Sequence, residues 1–182
     1  MKRALLIIDV QNEYFTGKLP VSYPVDSFKH IMCCMDAANA AGMAVVLIQH
    51  SAPLESPVFA RGSRNWEIHP EIFGRPHSIL IEKTLPGSFT GTGLEAYLRE
   101  QAVDTVSICG YMTQMCCDTT SRQAFHLGFK VEFLSDATGT LAFSNYAGSA
   151  SAEELHRAVL VTQAQRFSRV LSSSEWIAAL KG

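Results

Sequence analysis

Apolar residues fall in short unbroken runs at Ala4–Ile8, Ala44–Ile48, Ser78–Ile81, Thr105–Cys109 and Val131–Leu134, with a further run near Arg169–Leu171. Each has the length of a strand, and continuous rather than alternating hydrophobicity predicts burial on both faces. Between most runs the spacing becomes helical. Val25 to Ala41 carries Phe28, Ile31, Met32, Met35 and Ala38 and stops at Gly42; Gly91 to Gln101 behaves likewise, as does Gln114 to Leu127, which stops at Gly128. A Ser/Gly-rich entry leads into another helix over Ala152 to Gln165. Alternating strand and helix predicts one α/β domain over residues 1–182: an open, doubly wound parallel sheet of about six strands with helices on both faces, joined by right-handed crossovers.

One connection departs from this rhythm. From His50 to His77 no regular element is predicted, and the stretch holds Pro53, Pro57, Gly62, Pro70, Gly74 and Pro76. Connections of this length in compact domains tend to be functional. Phe59 and Trp66 within it are costly to expose, so an ordered flap over a cleft, or a subunit contact, is expected.

Composition narrows the function. The chain has 182 residues, 47% hydrophobic and 18% charged, which is enough for one sizeable core. A net charge of -2 with scattered cations disfavours nucleic acid and anionic membranes as partners. No apolar run approaches the roughly 20 residues of a membrane span. Five cysteines, with adjacent pairs and no CxxC spacing, suggest neither a disulfide framework nor zinc, so a reduced, cytoplasmic setting is expected.

In a doubly wound sheet, ligands bind beyond the carboxyl ends of the strands. Three ionisable residues collect there: Asp9 after the first run, Lys83 after Ser78–Ile81, and a cysteine in the segment Gly110 to Thr120 after Thr105–Cys109. Each type has an ordinary explanation alone: a turn aspartate, a surface lysine, a small buried thiol. Jointly they match nucleophilic acyl transfer, with the carboxylate taking the thiol proton, the thiolate attacking a carbonyl, and the ammonium steadying both anions. A thiol in the first turn of a helix faces unpaired N–H groups and the positive end of the helix dipole, which predicts a bias toward thiolate. Backbone N–H groups of the same strand-to-helix turn could receive an oxyanion. Cys116 and Cys117 are adjacent and point about 100° apart on a helix, so spacing leaves the choice between them open.

The segments LLIIDVQNEYF, SPVFARGSRNWEIHPEI, IEKTLPGSFTGTGLEAYL and ICGYMTQMCCDTTSRQAFHLGFKVEFLSDATGT, in that order, resemble the isochorismatase-like cysteine hydrolases over residues 3–170. The superfamily includes nicotinamidases, N-carbamoylsarcosine amidases, biuret hydrolases and streptothricin hydrolases. The resemblance implies a catalytic triad of Asp9, Lys83 and Cys116, with Cys117 at a position usually aliphatic. It implies a cis Tyr111–Met112 peptide and an oxyanion hole from the Met112 and Cys116 amides. Relatives are commonly dimers or tetramers, so a homodimer or homotetramer is expected. Nicotinamidases bind a divalent ion through an Asp-x-His element after the second strand; here Gln49-His50-Ser51-Ala52-Pro53 offers no matching carboxylate, so neither metal nor other cofactor is expected.

Around the triad, Phe15, Trp66 and Phe89 are candidate walls of an apolar substrate cleft, and Gln11 is close enough in sequence to orient Asp9 or touch substrate. Arg122 is expected to pair across the surface, and Asp136 to brace the loop toward Ala137 and Thr138. The function expected is metal-independent hydrolysis of a C–N bond in a small amide, imide or ureide. Two alternatives are an isochorismate-type vinyl-ether hydrolase, which would not need the cysteine, and a ligand-binding α/β module. The second would call for a phosphate-binding glycine motif, and the chain has neither GxGxxG after its first strand nor GxxxxGK[ST].

Overall fold

A computed structural model describes residues 1–180. In chain order the elements are β1 (Arg3–Ile8), a 3-10 turn (Asn12–Tyr14), α1 (Ser27–Ala40), β2 (Ala44–His50), the single helical turn α2 (Pro70–Phe73), β3 (Ile79–Lys83), α3 (Leu94–Glu100) and β4 (Thr105–Tyr111). A π-helical turn (Thr113–Cys117) then runs directly into α4 (Asp118–His126). There follow β5 (Lys130–Gly139), the hairpin strands β6 (Phe143–Asn145) and β7 (Gly148–Ala150), α5 (Ala152–Thr162) with a second π turn (Gln163–Phe167), β8 (Arg169–Leu171) and α6 (Ser173–Ala178).

Six strands form one parallel sheet in the order β3-β2-β1-β4-β5-β8. The winding direction reverses between β1 and β4, so the crevice at the carboxyl ends of these two strands is the topological switch point. Successive residues of β1 serve opposite faces. Leu5 and Ile7 pack with Ile31, Met35 and Ala38 of α1 and Trp176 of α6, while Ala4, Leu6 and Ile8 pack with Leu94 and Leu98 of α3 and Ala124 of α4. All five are essentially without solvent contact, which is the two-sided burial that their unbroken hydrophobicity predicts.

Elements with weak periodicity are the ones the sequence does not announce. The turn α2 inside the long connection has Pro70 at its start, and the His69 ring accepts a bond from Glu71 N. The segment is not loose. Its residues pair with the chain after β1 through an antiparallel Gln11–Ile68 bridge and the bonds Asn12 N to Glu67 O and His69 N to Val10 O. The helix α6 carries a Ser172–Glu175 capping box. Asp136 caps that helix rather than the loop toward Thr138, accepting from Ser173 N at 2.6 Å and Ser173 Oγ at 2.8 Å. Arg122 pairs with Asp118 four residues away. Among the described residues no helix is long and apolar enough to cross a membrane.

Candidate active site

Register brings the site together. Asp9 follows the last residue of β1 and is tied to β2 by its N–H donating to Ile48 O; Lys83 ends β3 opposite His50, which ends β2. Asp9 sits in the left-handed region at φ 51°, a conformation that aspartate tolerates better than most residues. On the other side of the switch point Gly110 lies opposite Ile8 at φ 115°, where any Cβ would overlap the Ile8 backbone. Glycine therefore lets β4 close on β1 just before the nucleophile turn.

Lys83 is the hub. Its Nζ lies 2.7 Å from Asp9 Oδ2, 3.2 Å from Leu85 O, 3.3 Å from Cys116 Sγ and 3.5 Å from His50 Nδ1. The contact with Asp9 is an ion pair rather than a well-aligned hydrogen bond, and neither Asp9 oxygen has a satisfied hydrogen-bond geometry among the described residues. Burial, the largest influence, works against the ammonium, but the close charges of Asp9 and then Cys116 outweigh it, so the Lys83 pKa is raised.

Cys116 lies in the π turn, between the Met112 cap and α4, and keeps 6% of its surface exposed. Its pKa is raised, first by burial and then by the negative charge of Asp9; Lys83 opposes both without prevailing. The thiolate bias that helix position alone predicts is thus overridden. Burial and the neighbouring carboxylate favour a resting thiol beside the Asp9–Lys83 ion pair. The Tyr111–Met112 peptide is cis. Met112 is extended, at φ -90° and ψ 153°, and its carbonyl accepts from Met115 N and Cys117 N. Cys117 is fully buried and faces the α3/α4 side of the core.

The four residues considered for substrate contact are held as follows. Gln11 is fully buried and spends its amide on backbone: Nε2 donates to His50 O at 2.9 Å and Trp66 O at 2.6 Å, while Oε1 accepts from His50 N. Trp66 Nε1 donates to Ser51 Oγ, and its ring borders an outer cleft of about 610 Å³ shared with Phe73 and Leu80. Phe15 packs against Phe28, His69 and, edge-on at 5.9 Å, Tyr111, and Phe89 stacks on Phe129. The outer cleft is lined by none of Asp9, Lys83 and Cys116.

Other residues, which the pattern along the chain does not single out, pack around the same turn. Tyr14 packs edge-on to Tyr111 at 5.4 Å and at 5.2 Å from Phe59, which in turn meets the His50 ring at 5.4 Å. Burial, then the charges of Cys116 and Asp9, raise the Tyr14 pKa, so its hydroxyl stays protonated beside the thiol. Burial lowers the pKa of His50, with Lys83 adding to the effect and Asp9 opposing it. Behind the nucleophile turn, Thr113 Oγ1 bonds His156 Nδ1 at 2.8 Å, and His156 Nε2 bonds Ser135 O at 2.9 Å. The position of His50 at a strand end was a usable signal, the same that singled out Asp9 and Lys83. Tyr14 and His156 carry none in one dimension. Among the described residues no three His, Cys, Asp or Glu side chains converge as metal ligands.

The sequence matches the family model described as Isochorismatase domain over residues 3–175. A crystal structure of an isochorismatase homologue from Burkholderia xenovorans LB400 superposes with a TM-score of 0.97 at 50% identity, covering 99% of this chain and 88% of that one. A cysteine hydrolase from Pseudomonas syringae pv. phaseolicola 1448A has a TM-score of 0.92 at 27% identity, covering 99% and 92%. Nicotinamidase 3 of Arabidopsis thaliana is 30% identical over 98% of this chain and 89% of its own length.

Proposed function

The chain belongs to the isochorismatase family of hydrolases, and we propose that within it this protein is a cysteine amidohydrolase cleaving a C–N bond of a small amide, imide or ureide. The observation that carries the proposal is the dry contact of one ammonium with both a carboxylate and a thiol, at 2.7 and 3.3 Å. A buried carboxylate held by an ammonium and set beside a thiol whose pKa is raised is placed to take the thiol proton.

In the proposed reaction Asp9 takes the Cys116 proton as Sγ bonds to the substrate carbonyl carbon. Charge moves from sulfur to the carbonyl oxygen, which the Met112 and Cys116 amides receive, and Lys83 remains a cation throughout. Collapse of the tetrahedral species breaks the C–N bond, and the proton held by Asp9 goes to the departing nitrogen. Asp9, again a carboxylate, deprotonates a water that attacks the thioester; the acid leaves and the proton returns to sulfur. No metal takes part in this scheme. The thiol that this branch uses is present, which favours it over vinyl-ether hydrolysis.

The test is ammonia release from a panel of small primary amides and ureides, and mass-spectrometric detection of the ring-opened acids from lactams and cyclic imides, with Cys116→Ala as control. Turnover by the natural chain that disappears in Cys116→Ala supports the proposal. Equal turnover by both proteins rejects the nucleophile.

A further inference from the structure

His50 is a polar side chain at the site to which no role has yet been assigned. Its backbone is clamped at two points by Gln11, and its Nδ1 lies 3.5 Å from the Lys83 ammonium. That ammonium already has three nearer partners in Asp9 Oδ2, Leu85 O and Cys116 Sγ, so His50 contributes little to holding it. The influence runs the other way. An N–H at Nδ1 would point a proton at a cation, whereas a lone pair there is attracted to it. The neutral ring therefore carries its proton on Nε2. Charged groups facing the ring come from β3, in Lys83, and from the residue after β1, Asp9; the packed Phe59 brings none. Burial and Lys83 hold the ring neutral at physiological pH despite Asp9.

Nε2 has no hydrogen-bond partner among the described residues, yet it is not one of the fully enclosed unpartnered atoms, so it keeps an opening to solvent. It sits at one end of the ring series His50, Phe59, Tyr14, Tyr111, which leads to the nucleophile turn. We propose that His50 determines specificity: Lys83 sets its tautomer, and its Nε2–H donates to a second, neutral carbonyl of the substrate, so that imides and acylureas are preferred over simple amides. This rests on the hydrolase reading above, and it deepens that reading by requiring an acceptor beyond the scissile carbonyl. A neutral donor suits an uncharged oxygen, and leaving it unpaired in a half-buried recess penalises substrates that lack one.

The experiment is a nitrogen-15 NMR titration of the full chain labelled at histidine, with the His50 signals assigned by their loss in His50→Asn. The expected result is a neutral ring at pH 7 with its proton on Nε2, a mixed tautomer population in Lys83→Met, and a shift of the Nε2 resonance by biuret or succinimide at concentrations where acetamide has no effect. A proton on Nδ1, a charged ring at pH 7, or equal responses to imide and acetamide overturns the proposal. On whichever imide or ureide is turned over, His50→Gln, whose amide can donate from the Nε2 position, should stay within a few-fold of the natural chain. His50→Asn should lose roughly tenfold or more in kcat/KM, mainly through KM. Equal losses in the two variants count against His50 as the donor. Absence of turnover with a normal titration rejects the hydrolase reading and leaves His50 standing as a binding residue.

Discussion

Lys83 Nζ stands 2.7 Å from Asp9 Oδ2 with both side chains fully withdrawn from solvent. A pair this dry gains little net stability from its own attraction, but removing one partner strands the other. Lys83→Met is therefore expected to cost about 3–5 kcal/mol in urea denaturation, while Lys83→Met combined with Asp9→Asn recovers part of that loss. Both single variants should lower turnover by roughly 10²–10⁴-fold. If Lys83→Met were as stable as the natural chain, the buried ion pair would not exist in solution.

Asp9 and Cys116 make a prediction with opposite signs for reactivity and catalysis. The Asp9 charge raises the thiol pKa and Lys83 lowers it. Asp9→Asn removes the first effect and leaves the second, so iodoacetamide should label Cys116 faster at neutral pH in this variant even as hydrolysis is lost. In the natural chain labelling should be slow at pH 7 and climb only at alkaline pH. Peptide mass spectrometry separates Cys116 from the exposed Cys33. Slower labelling of the Asp9→Asn protein would mean that Asp9 assists the resting thiol rather than opposing its ionisation.

Gly110→Ala should damage the fold more than an ordinary strand substitution. The new methyl group would meet the Ile8 backbone, and the residue would be held at φ 115°. Overlap and backbone strain together predict a loss of about 2–5 kcal/mol, read by thermal or urea unfolding. A loss under about 1 kcal/mol would mean that β1 and β4 separate easily.

His156 links the nucleophile turn to stability at mild acidity. Burial lowers its pKa and the Ser135 carbonyl only partly offsets this. Because the folded-state value lies below the unfolded one, near 6.5, the unfolded chain takes up a proton that the folded chain refuses as pH falls. Stability is therefore full above about pH 6.5 and declines below it. His50 and His69 are shifted the same way and add to the decline. The melting temperature should fall between pH 7 and pH 5, and His156→Gln should make it fall less. If the two proteins show parallel pH profiles, His156 is protonated in the folded state.

Much of this protein is legible in one dimension because its physics is local. Continuous apolar runs produced six parallel strands at their expected places; the inner strands are buried on both faces as expected, whereas the edge strands β3 and β8 are not, since each has a neighbour on one side only and Leu80 of β3 stays exposed. Strand ends are where side chains leave the sheet toward ligand, so Asp9, Lys83 and a helix-borne cysteine could be selected from position. The short helices α2 and α6 and the β6–β7 hairpin were not, being too brief for periodicity to accumulate.

What the sequence by itself determined was the layered architecture and the set of groups gathered at one sheet edge. Tertiary structure alone decided the state and surroundings of those groups. Burial at Cys116, with the Asp9 charge beside it, raises the thiol pKa against the thiolate bias that helix position predicts, and neither influence can be read from the local sequence. Long-range pairing likewise turned Gln11 and Trp66 into a brace between flap and strand, and set Tyr14, Phe59 and His50 in one series of rings leading to the nucleophile turn. Contacts between residues dozens of positions apart leave no periodic trace in the chain, and only the folded packing makes them.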